Sequence, residues 1–341
     1  MNGRETLNPV HLSIIIVTWN SGEDISRCLS SVLASTGTLP TEIFVVDNAS
    51  SDGTSRIVRS KYPTVRLIEL PENLGFPRAN NVGIQEAQGE FVLLLNPDTE
   101  VSREAVHACI ARIREDGKIG MIGCRILYPD GTLQLECAHH LPELRDVLIE
   151  TFYLHMLFPK NRVFGRHRMG DWDHLDDRVV PRISGAFMMV RRAAIDQIGL
   201  LDERFFMYYE DVEYCARIAR AGWTIQYLGK PTIIHFTGKS RAQSAIDFDY
   251  SLPLLRYTYF RENRGRVAAY GYRLLSLGQS LLRVLLSLLG AVLLAWNPGL
   301  KRRPAFRPEI HWGRVLWLLG LRSFEEVVRP TQEDARLRRI N

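Results

Sequence analysis

Four predicted strands alternate with helices over the first hundred residues, and this alternation limits the folds open to the chain more than any other feature. Strands are predicted at 12–18, 42–46, 65–69 and 91–95, where apolar, often β-branched runs end in polar residues. Helical spacing of apolar residues, or a short polar helix, separates them. Strands that alternate with helices in this way pair in parallel, with the helices packed on the sheet. The first part of the chain is therefore predicted to be an α/β domain.

Polar side chains follow three of these strands at the point where each strand ends. They are Thr18 and Asn20 after the first strand, Asp47 and Asp52 after the second, and Asn96 and Asp98 after the fourth. Ligands of such sheets bind beyond the carboxyl ends of the strands, so one crevice is expected to contain all of them. The alternative for Asp47 and Asp98 is a structural role, because Asp and Asn also favour turns and helix N-caps.

The sequence disfavours several classes of protein and several kinds of site. No GxGxxG follows the first strand and no GxxxxGK[ST] occurs, which disfavours a dinucleotide oxidoreductase and a P-loop nucleotidase. The five cysteines are scattered without CxxC spacing, which disfavours a zinc site or a disulfide framework and fits a reducing cytosol. The adjacent His139 and His140 lack a third ligand and are predicted at the surface. The polar N-terminal residues show no signal pattern, so we expect a cytoplasmic catalytic part.

Three later segments also combine apolar residues with chemistry-bearing ones. The run "ISGAFMMVRR" (183–192) contains Gly185, and a glycine in a strand allows close approach to the backbone. The pair Glu210-Asp211 comes directly before a predicted amphipathic helix that ends near Gly222. Asp211 is a candidate for catalysis and also for the N-cap of that helix. His235 lies in the strand-like piece "TIIHF" and is a candidate ligand or a buried structural histidine.

Seven segments, in this order, resemble the inverting glycosyltransferases of family 2, which have the GT-A fold. They are "SIIIVTWN", "VVDNASSDGT", "ENLGFPRANNVGI", "FVLLLNPDTE", "SGAFMMVRR", "FFMYYEDVEYCARIARAGW" and "IIHFTGKS". The resemblance covers about residues 11–240 and is greatest to rhamnosyltransferases that use dTDP-rhamnose. It implies a Rossmann-like, mixed and mainly parallel sheet flanked by helices.

The resemblance also implies a role for each matching residue. A nucleotide-sugar donor would be bound by Thr18, Asn20, Asp47, Asp52, Arg78, Asn81, Asn96 and Gly185. Asp98 takes the last position of the family's DxD motif, and His235 matches a second metal ligand of some relatives. Asp211 would be the catalytic base, with Glu210 beside it. The first acid of DxD is Asn96 here, which offers a carbonyl oxygen without a charge.

The chemistry of glycosyl transfer accounts for these residue types. A nucleoside diphosphate leaving group gains negative charge, which a divalent cation at Asp98, Mg²⁺ or Mn²⁺, would neutralise. Adding His235 as a ligand would favour Mn²⁺. Inversion is a single displacement, so one general base is enough. The neighbouring charge in the Glu210-Asp211 pair is expected to raise a pKa there.

The C-terminal part differs in character from the rest of the chain. Residues 1–245 are predicted to form the catalytic domain and 246–341 a basic, apolar helical region. The net charge of the chain is +5, and arginines are frequent beyond residue 255. The run 274–296 is long enough to span a bilayer, but Gln279 and Arg283 interrupt it. We favour helices that lie on a membrane surface over a spanning helix, over packing against the catalytic domain or a second copy, and over nucleic-acid binding.

Three functions remain to be compared. The favoured one is transfer of a sugar to a lipid-linked glycan acceptor at the inner face of a bacterial plasma membrane. A non-catalytic nucleotide-sugar or glycan-binding protein on the same fold is the alternative, as is a transferase with a different nucleotide sugar. A nucleotidyltransferase would need a Gly-rich basic loop after the first strand, where "TWNSGED" is acidic. The sequence leaves the oligomeric state, including a homo-oligomer, open.

Overall fold

The chain is divided into two compact units. The computed structural model describes residues 11–237, 248–293, 315–316 and 318–320. The second unit comprises Pro142–Phe158 and the described residues from 248 onward, and the first unit comprises the rest of 11–237. The sequence-based boundary near residue 245 therefore differs in one respect, because Pro142–Phe158 belongs with the C-terminal helical part.

A mixed sheet forms the core of the first unit. Its strands are β1 (Leu12–Thr18), β2 (Thr41–Asp47), β3 (Arg66–Glu69), β4 (Phe91–Leu95), β5 (Thr99–Val101), β6 (Ile119–Leu127), β8 (Arg178–Val179), β10 (Phe187–Arg191) and β11 (Thr224–His235). The order is β3-β2-β1-β4-β10-β6-β11-β5, with β8 beside β11. The first four strands in this order pair in parallel, and β6 and β11 do so too. A separate ribbon joins β7 (Ala138–His139) to β9 (Arg182–Ile183). The predicted α/β class and the mixed, mainly parallel sheet are confirmed.

Helices cover both faces of the central strands. In the first unit they are α1 (Ile25–Thr36), α2 (Thr54–Lys61), α3 (Phe76–Glu86), α4 (Arg103–Glu115), α7 (Arg192–Ile198) and α8 (Glu210–Arg220). Every side chain of β1 and of β4 is buried. Successive side chains of a strand point to opposite faces, so continuous burial requires cover on both sides. This is why these strands are uninterrupted apolar runs rather than alternating ones.

Two antiparallel pairings bring later parts of the chain to the carboxyl ends of the parallel strands. β10 runs beside β4 with Phe187 opposite Leu95. At the far edge, β5 pairs with the end of β11 so that His235 lies opposite Thr99. β11 is one strand with an irregular register between Leu228 and Thr232. Residues from four distant segments therefore meet at one edge of the sheet.

The second unit is helical. It contains α5 (Leu144–Thr151), α6 (Leu154–Leu157) and α9 (Phe248–Leu293), and α9 is broken at Gly265, whose φ of 86° favours glycine. An ion pair between Arg256 and Glu150, 2.5 Å long, joins α9 to α5. Among the described residues, no helix combines the length and apolar character needed to cross a membrane. Tryptophan is enriched at the headgroup level of membranes, and the sequence predicts that position for Trp296, Trp312 and Trp317. All three lie outside the described residues.

Close packing of α3 on β1 yields a first prediction. A Cβ added to Gly83 would lie 2.6 Å from Cγ2 of Ile15. Alanine in a helix is usually favoured over glycine by about 0.5–1 kcal/mol, but overpacking costs about 1–3 kcal/mol. We therefore expect Gly83→Ala to lower the unfolding temperature. The control is Gly117→Ala, because no atom lies within 4 Å of its added Cβ. Equal or higher stability of Gly83→Ala would show that the helix can shift.

Candidate active site

A carboxylate and an imidazole lie together beyond the ends of β4 and β11. The Phe236 N–H donates to the carbonyl of Asp98 at 2.8 Å, which continues the pairing of β5 with β11. As a result, Oδ1 of Asp98 lies 3.2 Å from Nε2 of His235, and the two side chains are only 12% and 14% exposed. The two residues assigned to a metal from the sequence are thus adjacent in space, although they are far apart in the chain.

Gln134 fixes which nitrogen of His235 carries the proton. Its amide nitrogen donates to the carbonyls of His235 at 2.6 Å and of Leu127 at 3.3 Å. Its amide oxygen must then be the group 3.0 Å from Nδ1 of His235, so Nδ1–H donates to it. In the neutral ring, Nε2 is left with a free lone pair that faces Asp98. The amide nitrogen of Asn96 lies 3.3 Å from the same Nε2.

These residues fit a divalent cation that is shared with a substrate. Two ligands of an octahedral ion with bonds of about 2.1 Å are separated by about 3 Å, which matches the 3.2 Å between Asp98 and His235. Within the described part of the chain, no three His, Cys, Asp or Glu side chains form a metal-binding group. Asp98 and His235 would be ligands from the described part of the protein, and phosphate and water would be further ligands, as Mg²⁺ and Mn²⁺ commonly require.

Asp211 is held by an ion pair in the first turn of α8. Its Oδ2 accepts from the guanidinium of Arg182 at 2.8 Å and from the Gly185 N–H at 3.3 Å. Its Oδ1 accepts from the Val212 N–H at 2.7 Å. Burial lowers the pKa of Arg182, but the attraction of Asp211 outweighs it and raises the pKa overall. On the other side of Arg182 lies Nδ1 of His139, at 3.3 Å, and burial keeps the pKa of His139 well below its ordinary value.

Glu210, next to Asp211, is buried and largely protonated at neutral pH. Burial raises its pKa to about 8, and the negative charge of Asp211 contributes to the rise. Its Oε2 finds no hydrogen-bond partner among the described residues. The raised pKa expected for this acidic pair is therefore found at Glu210.

Two consecutive tyrosines before this pair have unusual backbone conformations. Tyr208 and Tyr209 have φ angles of 70° and 71°. Non-glycine residues in this region cost of order 1 kcal/mol or more each, and such residues cluster at functional sites. Here the left-handed turn ends directly at Glu210, so it sets the direction in which α8 starts and where its first two carboxyl groups lie.

The loops after β1 and β2 are joined by side chain to backbone hydrogen bonds. Oδ1 of Asn20 accepts from the Ser51 N–H at 2.8 Å, and Oδ2 of Asp52 accepts from the Gly22 N–H at 2.9 Å. Burial raises the pKa of Asp52, but hydrogen bonds from Thr54 and Gly22 lower it by more. Asn20 and Asp52 thus shape the two loops that are predicted to contact a nucleotide.

Asp47 and Thr18 lie deeper in the same region. Both carboxylate oxygens of Asp47 accept from hydroxyls of its own loop, those of Ser50 and Ser55. The hydroxyl of Thr18 is buried and has no hydrogen-bond partner among the described residues, while its carbonyl accepts from the Asn48 N–H at 2.8 Å. The geometry of Asp47 is that of a turn-stabilising residue, and its contact with a nucleotide base stays a prediction.

Arg78 and Asn81 project from α3 toward the segment before α8. The amide of Asn81 is committed to the backbone of Leu201, donating to its carbonyl at 2.9 Å and accepting from its N–H at 3.0 Å. Arg78 is half-exposed and pairs with Glu203 at 3.0 Å, and Asn81 also donates to Glu203 at 3.1 Å. Asn81 therefore ties α3 to this segment. A role for either residue toward a diphosphate or ribose stays a prediction.

A sequence profile of the family described as "Glycosyl transferase family 2" matches residues 13–199. The chain belongs to this family. A relative from Mycobacterium tuberculosis (strain CDC 1551 / Oshkosh), named N-acetylglucosaminyl-diphospho-decaprenol L-rhamnosyltransferase, is 30% identical over 240 residues. That alignment covers 67% of this chain and 77% of the relative. The predicted likeness to the rhamnosyltransferases of family 2 is thereby confirmed.

Solved structures agree on the fold of this glycosyltransferase. One is the mannosyltransferase PcManGT from Pyrobaculum calidifontis in complex with GDP-Man and Mn²⁺, with a TM-score of 0.51 at 17% identity. The match covers 93% of this chain and 87% of that one. GalNAc-T7 with UDP, GalNAc and Mn²⁺ also has a TM-score of 0.51 at 17% identity, over 67% of this chain and 44% of that one.

The sequence did not indicate several residues of the site. Gln134 contacts His235 across 101 positions of the chain and has no local signal of its own. Arg182 directly precedes the "ISGAFMMVRR" run, and this position is the sequence feature that could have indicated its place in the site. His139 was predicted at the surface, but it is buried, because the β7–β9 ribbon and Arg182 cover it.

The raised pKa of Glu210 predicts how stability depends on pH. A carboxyl group whose pKa rises from an ordinary 4.5 to about 8 on folding binds its proton more tightly in the folded state. Its contribution is fully present below pH 4.5 and is lost as the pH rises through about 8. We expect Glu210→Gln to be more stable than wild type at pH 9 and to lose less stability between pH 5 and 9, as measured by urea unfolding. Parallel pH curves for the two proteins would contradict the assignment.

The bond from Gln134 predicts an effect on metal affinity. Leucine at position 134 would leave Nδ1 of His235 without an acceptor and the ring free to rotate. Loss of such an outer partner typically weakens metal binding about 10- to 100-fold. We expect Gln134→Leu to shift the Mn²⁺ dependence of nucleoside diphosphate binding by that factor in calorimetric titrations, with metal-free binding unchanged. The matched control is the exposed Gln88→Leu. An unaltered Mn²⁺ dependence would exclude the role given to Gln134.

Proposed function

We propose that this family 2 glycosyltransferase transfers a hexose, rhamnose from dTDP-rhamnose, with inversion to a lipid-linked glycan acceptor in cell-envelope synthesis. One observation carries the proposal: the pair Asp98–His235 and the pair Asp211–Arg182 lie at the same edge of the sheet. The pairing of β4 with β10 connects the two pairs, because the Asn96 N–H donates to the carbonyl of Ala186 at 3.1 Å. The name of the Mycobacterium tuberculosis relative supports the choice of donor and of a lipid-linked acceptor.

Asp211 takes the proton of the acceptor in this proposal. The acceptor hydroxyl oxygen bonds to the anomeric carbon, the bond from that carbon to the diphosphate breaks, and the hydroxyl proton passes to a carboxylate oxygen of Asp211. Arg182 pairs with this buried carboxylate, and the Gly185 N–H orients it. Neutral Glu210 beside it avoids a second buried negative charge. A single displacement by one base inverts the anomeric carbon.

The pair Asp98–His235 and the loops after β1 and β2 form the donor side of the site. A divalent cation, Mg²⁺ or Mn²⁺, bound by Asp98 and His235 would neutralise charge on the departing diphosphate. The buried hydroxyl of Thr18, without a partner among the described residues, offers a hydrogen bond to the nucleotide. Asn20 and Asp52 keep the flanking loops in place. Arg78, half-exposed on α3 and paired with Glu203, would contribute positive charge near the phosphates.

The general base can be tested by one substitution. Asp211→Asn keeps the shape of the side chain and removes the proton acceptor, so we expect turnover to fall about 10²- to 10⁴-fold. Donor affinity, measured separately by calorimetry, should stay near that of wild type. The exposed Asp196→Asn, on α7, serves as the control for loss of one carboxylate. Turnover above a tenth of wild type would show that Asp211 is not the base.

Release of nucleoside diphosphate distinguishes the donor and the alternatives. A panel of dTDP-, UDP- and GDP-sugars should be incubated with a lipid-linked acceptor that ends in N-acetylglucosamine. We expect acceptor-dependent release with dTDP-rhamnose and a product, analysed by NMR, whose anomeric configuration is opposite to that of the donor. Acceptor-dependent release with another nucleotide sugar, and none with dTDP-rhamnose, would show that the donor is not dTDP-rhamnose. Binding without release from any member would favour a non-catalytic binding protein.

A further inference from the structure

In one half of α9, in the second unit, apolar side chains are exposed to solvent while polar ones are buried. After the break at Gly265, the side chains that face the protein include two serines, Ser276 and Ser280, which are only 4% and 3% exposed. On the opposite side, Leu274 is 69% exposed. Helices at the surface of water-soluble proteins normally have the reverse arrangement.

The exposed apolar side chains form a continuous stripe. At 3.6 residues a turn they fall on one side of α9, opposite the buried face of Ala269, Tyr272, Ser276 and Ser280. The stripe is made of Val267, Tyr270, Leu274, Leu281 and Leu285. A contiguous apolar surface of this kind marks a site of interaction. The same unit also exposes Phe152, Met156 and Leu157.

Charge indicates what covers this stripe. No Asp or Glu occurs between Glu262 and Glu309, whereas arginines recur throughout that interval. Arg266 and Arg273 border the stripe along one side. A second copy packed on the same stripe would bring these arginines of both chains together, which is unfavourable. Anionic lipid headgroups complement them, and each basic side chain near such a surface contributes to binding.

We propose that the stripe lies in the interfacial region of an anionic lipid bilayer, with Leu274, Leu281 and Leu285 inserted among the acyl chains. The helix then lies along the membrane, because its other side is covered by protein. The biological reason for such an anchor rests on the proposed function, in which a lipid-linked acceptor presents its sugar at the membrane surface. The binding itself does not depend on catalysis.

Vesicle flotation of the full-length protein tests the proposal. We expect binding to vesicles of equal parts phosphatidylcholine and phosphatidylglycerol, weaker binding to phosphatidylcholine alone, and partial release by high salt. The triple variant Leu274→Gln, Leu281→Gln and Leu285→Gln should bind at least about tenfold more weakly. These side chains are exposed, so the fold should persist, and circular dichroism checks this.

A matched triple variant controls for the loss of surface leucines. Leu33→Gln, Leu175→Gln and Val179→Gln change three exposed apolar side chains of the first unit and should leave vesicle binding unchanged. Arg266→Glu should weaken binding to the anionic vesicles only. Wild-type protein that does not float, or a stripe variant that floats like wild type, would overturn the proposal. The proposal would also be overturned if light scattering showed that the wild type is a dimer, that the stripe variant is a monomer, and that vesicles leave the wild-type dimer intact.

Two further measurements keep this proposal separate from the proposed function. Asp211→Asn should float as wild type does, and the stripe variant should keep the wild-type rate with a water-soluble acceptor analogue. Loss of that rate would contradict an anchor that acts independently of catalysis. Absence of transfer with every donor, together with normal flotation, would overturn the proposed function and leave the membrane surface supported.

Discussion

The antiparallel pairing of β10 with β4 is the interaction on which the site depends. Parallel strands bring only their carboxyl ends to the ligand-binding edge, whereas β10 starts there because it runs in the opposite direction. Its side chains Phe187, Met188 and Met189 are buried, so apolar burial maintains the pairing. The segment before β10 consequently meets Asn96 through the carbonyl of Ala186, and Arg182 and Gly185 of the same segment hold Asp211. Without this pairing, the pairs Asp98–His235 and Asp211–Arg182 would not lie at the same edge of the sheet.

The second constraint is the number of charges that this edge can bury. Desolvation makes an unpaired buried charge costly, so ionised groups there need partners. Arg182 and Asp211 form an ion pair. Burial raises the pKa of Glu210 and lowers that of His139, so both shifts favour the neutral form. Asp211, paired with Arg182, is the carboxylate that accepts from the Gly185 N–H. A single base is what an inverting displacement requires, so the electrostatics and the proposed chemistry agree.

The sequence predicted the elements that depend on local information. The continuous apolar runs of β1 and β4 indicated buried strands, and the polar residues after them indicated the ligand-binding edge. Pairing partners were harder to predict, because the register that places His235 opposite Thr99 is decided by tertiary packing. Gln134 shows the limit most clearly, since its function comes from two bonds to one residue far along the chain. The inverted arrangement of α9 was also hidden, because an apolar run does not reveal which side of a helix is covered.

Anomalous diffraction gives the most direct test of how this edge binds its donor. Crystals grown with a nucleoside diphosphate and Mn²⁺ should show one manganese peak that contacts Oδ1 of Asp98, Nε2 of His235 and a phosphate oxygen. The diphosphate should then point toward Asp211, leaving room for an acceptor hydroxyl between them. A nucleotide bound at this edge without manganese, or manganese bound only by other residues, would contradict the assignment of Asp98 and His235.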